Sequence, residues 1–178
     1  KQLMGRVIPV QIADIVQGVH EKNGNEFYLD VEIKKITKTD NSYEILLDTQ
    51  VCLSADLIIV GIGSKPNTSL FIDSDLKIDN GIITDEFCQT SIPDVYAAGD
   101  VSNFYHPFYK INMRLESFKH AQNHGNNAGK NISDVKTQYQ EIPWMWSDQF
   151  NLNLQMTGIC TDYESFIKRG ENIEEGII

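Results

Sequence analysis

The stretch that most constrains this chain is Val95-Tyr96-Ala97-Ala98-Gly99-Asp100. A short apolar run ends in a glycine and a carboxylate. Strands buried on both faces read as continuous apolar runs. In open α/β sheets, ligands gather at the carboxyl ends of such strands. Val95 to Ala98 is therefore expected to be a buried parallel strand, with Asp100 at its end as a hydrogen-bond acceptor for a hydroxylated ligand. The plainer alternative is a strand followed by a turn, since Gly and Asp are both common turn residues.

Other elements follow from periodicity. Ile12, Ile15, Val16 and Val19 keep helical spacing between Pro9 and Asn23-Gly24, which suit a helix start and end. Phe27, Leu29, Val31 and Ile33 alternate with polar residues and predict a half-exposed strand. Tyr43 to Leu47 and Gln50 to Ser54 predict two more, joined by a tight turn at Asp48-Thr49 that lacks the preferred glycine. Leu57 to Val60 predicts a short buried strand, Ser64 to Asn80 a polar loop, and Gly81 to Thr84 a strand. Glu116 to Ile132 predicts a helix with Glu116 and Ser117 in its first turn. Phe118, Ala121, Gly125, Ala128 and Ile132 form its expected packing face. Asn131 to Glu141 has few apolar residues and is expected to be a linker.

Composition excludes several classes. The net charge of −10 argues against nucleic acid, which favours basic surfaces. No apolar run approaches the roughly 18 residues of a membrane span. The three cysteines, Cys52, Cys88 and Cys160, form no CxxC pair, so a disulfide framework or dithiol site is not expected, and reduced cytoplasmic thiols are. His120 and His124 stand i, i+4, the spacing of a zinc pair, but no third ligand or HExxH accompanies them. They are expected to be surface or partly buried histidines, not a zinc site. No complete G-x-G-x-x-G occurs: Gly61-Ile62-Gly63 is followed by Ser64-Lys65-Pro66, which cannot readily start a phosphate-binding helix.

Three stretches carry a resemblance. Thr90-Ser91-Ile92-Pro93-Asp94-Val95-Tyr96-Ala97-Ala98-Gly99-Asp100 resembles the second FAD-binding segment of the two-dinucleotide-domain flavoprotein reductases, in the pyridine nucleotide-disulfide oxidoreductase superfamily. Asp56 to Asn67 fits the same family, in the same order. Pro143-Trp144-Met145-Trp146-Ser147-Asp148-Gln149 is narrower and resembles NADH-dependent, putidaredoxin-reductase-like ferredoxin and rubredoxin reductases. The likeness runs over nearly the whole chain, from Leu3-Met4-Gly5-Arg6-Val7.

That resemblance implies an α/β fold: part of a two-dinucleotide-domain FAD/NAD(P)-binding reductase, with the start of an α+β C-terminal domain. It implies the C-terminal half of an NAD domain at 1–67, a returning FAD segment at 68–135 and a truncated interface domain at 136–178. Both nucleotide fingerprints would precede Lys1, and the last domain would continue past Ile178. Asp100, with Gly99, would hold the FAD ribitol. Phe118 would contact FAD at a helix end stabilising negative charge on the flavin. Trp146 would lie close to the flavin ring, while Trp144 packs. Gly61, Ile62 and Gly63 would lie near the nicotinamide of NAD(P)H, and Glu116 near its carboxamide, although Glu116 equally fits a first-turn charge.

The implied activity is NAD(P)H-dependent reduction of a ferredoxin or rubredoxin type iron–sulfur protein through FAD. An acidic partner would need a basic patch, for which Lys110, Arg114 and Lys119 are candidates beside the plain reading of a solvated face. Two rivals remain. One is a folded fragment or homodimerising module without cofactor, since unpaired sheet edges favour pairing. The other is a related NADH oxidase, disulfide reductase or apoptosis-inducing-factor-like oxidoreductase.

Overall fold

The computed structural model describes residues 2–160 and 163–170. The chain divides into two compact units, one of residues 1–63 with 160–178 and one of residues 64–159. The predicted span 136–178 includes residues 161, 162 and 171–178, which lie outside the described ones.

In the first unit, helix α1 spans Val10–Lys22, with Pro9 at its N-cap and Asn23 at its C-cap. It buries Ala13 and Val16, which lie three apart on one face. Three antiparallel strands follow in the order β1-β2-β3: Ile33–Lys38, Tyr43–Leu47 and Cys52–Ala55. Ile36, Ile45 and Leu53 align across this sheet.

The alternation from Phe27 does not become a strand. Asp30 takes φ +57, which ends extended backbone, and pairing begins only at Ile33, opposite Leu47. The Thr39–Ser42 turn, with N–H of Thr39 donating to the Ser42 carbonyl at 2.9 Å, sets that register. At the next turn Gln50 adopts the left-handed conformation, φ +68, that a glycine would have supplied.

Leu57 to Val60 is neither a strand nor buried. Leu57, Ile59, Val60 and the following Ile62 are 72%, 86%, 70% and 90% exposed. A parallel strand becomes buried only between neighbouring strands, and no described strand pairs with this run.

In the second unit, β4 (Ile82–Thr84) pairs parallel with β5 (Ser102–His106), which pairs antiparallel with β6 (Ile111–Met113). Helix α2, Phe118–Ile132, follows. A hairpin of β7 (Trp144–Gln149) and β8 (Leu152–Thr157) turns through Phe150-Asn151. Val95 to Ala98 is not a strand. Asp94 takes φ +61, and the run makes one antiparallel bridge, Gln89 to Tyr96, before entering a single 3-10 turn at Gly99–Val101. Only Ala97 of the run is buried, at 8% exposure; Tyr96 and Ala98 are partly buried against the core and Val95 is 38% exposed.

Helix α2 presents a different face from the small-residue stripe. Its buried residues are His120, His124, Asn127, Ala128 and Asn131, whereas Phe118 and Ile132 are mostly exposed. Ser117 is the N-cap, its side chain accepting from N–H of His120 at 3.3 Å, so Glu116 precedes the helix. The segment after α2 is not a loose linker. Asn131 exchanges hydrogen bonds with Thr137 backbone at 2.9 Å in both directions, and N–H of Tyr139 donates to the Glu86 carbonyl at 2.7 Å. Tyr139 thereby enters the core with Cys88, Phe104 and Ala128. Among the described residues no helix is long and apolar enough to cross a membrane.

Candidate functional site

Asp100 lies exposed on the 3-10 turn that follows the positive-φ Gly99 (φ +75). A side chain at Gly99 would meet the Cβ of Ala121 on α2 at 3.5 Å, so this turn sits directly against the helix. N–H of Gly99 donates to Nδ1 of His124 at 3.2 Å. The Asp100 carbonyl accepts from Nη1 of Arg114 at 3.2 Å. The backbone around Asp100 is thus held on both sides, and its carboxylate engages no hydrogen bond among the described residues.

Arg114 organises the neighbouring carboxylate as well. Its Nη1 meets Oε1 of Glu116 at 2.6 Å, with the Arg114 side chain 11% and the Glu116 side chain 33% exposed. Ser64 Oγ donates to the same Glu116 oxygen at 2.6 Å. Arg114 is therefore turned inward and is not available to a basic docking patch, while Lys110 and Lys119 remain exposed. Immediately after Glu116, Ser117 caps α2 and leaves the N–H groups of Phe118 and Lys119 without intrahelical partners. The Asp100 carbonyl and the Glu116 carboxylate thus meet at one guanidinium.

This arrangement suits a flavin on chemical grounds. Free carboxylate lone pairs accept from sugar-like hydroxyls, and a helix N-terminus favours developing negative charge. Gly61, Ile62 and Gly63 belong to the first unit and are exposed. Gly63 takes φ +94, and a side chain there would meet the Arg6 guanidinium at 3.4 Å. Trp146 and Trp144 share one face of β7, as strand alternation requires, and their rings stack at 5.3 Å and 29°. They are 45% and 36% exposed.

Behind the turn lies a cluster that the sequence reading missed. His120 and His124 are not surface residues; they are 4% and 0% exposed. Phe104, itself fully buried, stacks on His120 at 4.9 Å and lies 4.8 Å from the His124 ring. Nδ1 of His120 pairs with the Tyr139 hydroxyl at 3.0 Å. Nε2 of both histidines is buried without a hydrogen-bond partner among the described residues. No described group of three or more His, Cys, Asp or Glu could hold a metal. The i, i+4 spacing was the available signal, and it marked a shared buried face. Burial also pushes the Cys88 thiol up to about 12, with Asp85 adding to the effect, which makes it a poor nucleophile.

Burial lowers His120 to about 4, against a smaller opposing pull from the Gly99 backbone and with help from His106. Burial, then the neighbouring His120, lowers His124 to about 3. Both stay neutral in the folded chain, while the unfolded chain protonates them below about 6.5. The unfolded state then binds more protons, so stability should be complete above that value and fall as pH drops toward 4. Urea unfolding should show a loss of about 3 to 4 kcal/mol between pH 7 and pH 5. A pH-independent midpoint over that range would contradict neutral buried histidines.

Known proteins provide the family. The profile of the pyridine nucleotide-disulphide oxidoreductases matches residues 1–125. The chain belongs to that family. A second profile, the reductase C-terminal region, matches residues 144–177 of this family member. It is 31% identical over 170 residues to the ferredoxin–NAD(+) reductase component of the anthranilate 1,2-dioxygenase system of Burkholderia cepacia, covering 96% of this chain and 42% of that protein. It is 32% identical to a putidaredoxin reductase of Pseudomonas putida, covering 86% and 36%. A crystal structure of a ferredoxin reductase from Rhodopseudomonas palustris superposes with a TM-score of 0.90 at 27% identity, over 96% of this chain and 42% of that one. Its α/β architecture is therefore that of the FAD/NAD(P)-binding reductases, and it spans about two fifths of the length of these curated relatives.

Proposed function

We propose that this oxidoreductase-family chain serves NAD(P)H-dependent electron transfer to a ferredoxin or rubredoxin type iron–sulfur protein. The observation carrying the reading is the exposed Asp100 carboxylate on a backbone clamped by Arg114 and His124, beside the N-terminus of α2. Bound FAD would supply hydride acceptance from NAD(P)H and release of electrons to the acceptor. Asp100 would accept from the ribitol hydroxyls, and Gly99, packed against α2, would shape the turn that presents it. The first turn of α2, at Phe118, favours negative charge on the flavin edge. Trp146 covers the ring and excludes water. Gly61, Ile62 and Gly63 would be nicotinamide contacts of the first unit, and within the second unit Glu116, oriented by Arg114 and Ser64, would offer its own carboxylate as the acceptor a carboxamide needs.

On this reading residues 1–67 belong to the NAD-binding domain, 68–135 to the FAD-binding domain and 136–178 to the C-terminal domain, through which two copies associate. The free cysteines fit a reducing cytoplasm.

The test is visible absorption of the chain after incubation with FAD and desalting. The expected result is a retained flavin band and, in Asp100→Ala, about tenfold weaker FAD binding, worth about 1.4 kcal/mol. Equal retention by the variant would remove Asp100 from the site. The exposed Leu57, Ile59, Val60 and Ile62 favour a second reading, a folded fragment that holds no cofactor. A colourless wild-type chain would select it.

A further inference from the structure

The turn that presents Asp100 is held by an unusual partner. N–H of Gly99 donates to a ring nitrogen, Nδ1 of His124, at 3.2 Å, rather than to a backbone carbonyl. His124 is completely buried, on the inner face of α2 against Phe104. Accepting at Nδ1 leaves the ring proton on Nε2, which points into the core without a partner among the described residues. A buried donor left unpaired is costly, and a leucine would fill the same space without that cost. What leucine cannot supply is the acceptor. Gly99 has no side chain to anchor the turn, and its φ of +75 is not self-stabilising. The carbonyl of Asp100 is tied separately to Arg114.

We infer that His124 is the positioning residue for the Gly99–Asp100 turn: its imidazole fixes the Ala98–Gly99 peptide at the start of the turn and so aims the carboxylate of Asp100 at its ligand. Histidine is placed here for an acceptor nitrogen on a rigid ring, not for metal binding or proton transfer. The flavin identity of that ligand rests on the function proposed above; the positioning of the turn does not.

The full chain, labelled with nitrogen-15, tests this. The His124 ring should show an unprotonated Nδ1 and a protonated Nε2 at pH 7. Amide exchange at Gly99 should be slow in the wild type, close to it in His124→Gln, whose side-chain carbonyl can accept, and at least about tenfold faster in His124→Leu. Amides of the β2–β3 pair should serve as the unchanged reference in all three. FAD retention should follow the same order. A proton on Nδ1, or equal Gly99 exchange in the glutamine and leucine variants, would overturn the assignment. The tautomer is read on the wild type, so a poorly folding leucine variant leaves that arm decisive. Loss of FAD binding by the wild type itself would reject the flavin reading, with the tautomer and exchange still deciding the role of His124.

Discussion

Gly81→Ala should destabilise the chain by about 3 kcal/mol or more, and is the substitution least open to local relief. A Cβ at this position would stand 2.6 Å from the Val101 carbonyl oxygen, with Asn103 N at 3.3 Å and the Arg114 side chain at 3.2 Å. Two of these neighbours are backbone, so no rotamer change removes the clash. The φ of +129 adds strain for any residue with a side chain. Val101 completes the 3-10 turn that carries Asp100, and Arg114 ties that turn to Glu116. The damage should therefore reach the candidate site as well as the fold. Denaturant unfolding checks it; a midpoint within error of wild type would show that β4 and the turn do not pack as described.

Phe104→Ala should be comparably severe, about 3 to 5 kcal/mol. The ring is fully buried and touches His120, His124 and Tyr139, with centroids 4.9, 4.8 and 5.3 Å away. Removing it leaves a cavity bounded by polar rings, and water can enter a polar cavity of sufficient size. Water beside the two imidazoles would ease their protonation. The variant should thus lose stability at pH 7 and show a shallower decline between pH 7 and pH 5. Phe104→Leu, which keeps most of the apolar volume, should retain the steep acid dependence. If both variants kept the wild-type slope, burial against Phe104 would not be what holds the histidines neutral.

Legibility in the sequence tracked how local each element's determinants are. Helix α1 was readable because Pro9, the Ile12-Ile15-Val16-Val19 spacing and Asn23 all act within one element. Strand β2 was readable for the same reason, and α2 apart from its start. The Val95–Ala98 run failed because an apolar stretch can rest one edge on a core without joining a sheet, leaving Val95 exposed, and Asp94 at φ +61 was not visible in advance. Leu57 to Val60 failed because burial depends on neighbouring strands that no local pattern reports. The inner face of α2 was misassigned because small residues were weighted over polar ones. His120, His124 and Asn127 are admitted by partners distant in sequence, Tyr139, Gly99 and Cys88. Of the candidate site, the Asp100 carboxylate was legible as a motif, whereas the Arg114 tie and the His124 acceptor required the fold.

The hairpin β7–β8 has an optical consequence. Both tryptophans of the chain lie on β7, stacked closely enough for their excited states to couple. Near-ultraviolet circular dichroism should carry a contribution from that ordered stack, and tryptophan emission should report one hairpin rather than the molecule. An unfolding curve followed by emission and one followed by far-ultraviolet signal would then coincide only if the hairpin melts together with α2. The two tryptophans are a built-in probe of whether this strand pair is a cooperative part of the fold or a separable one.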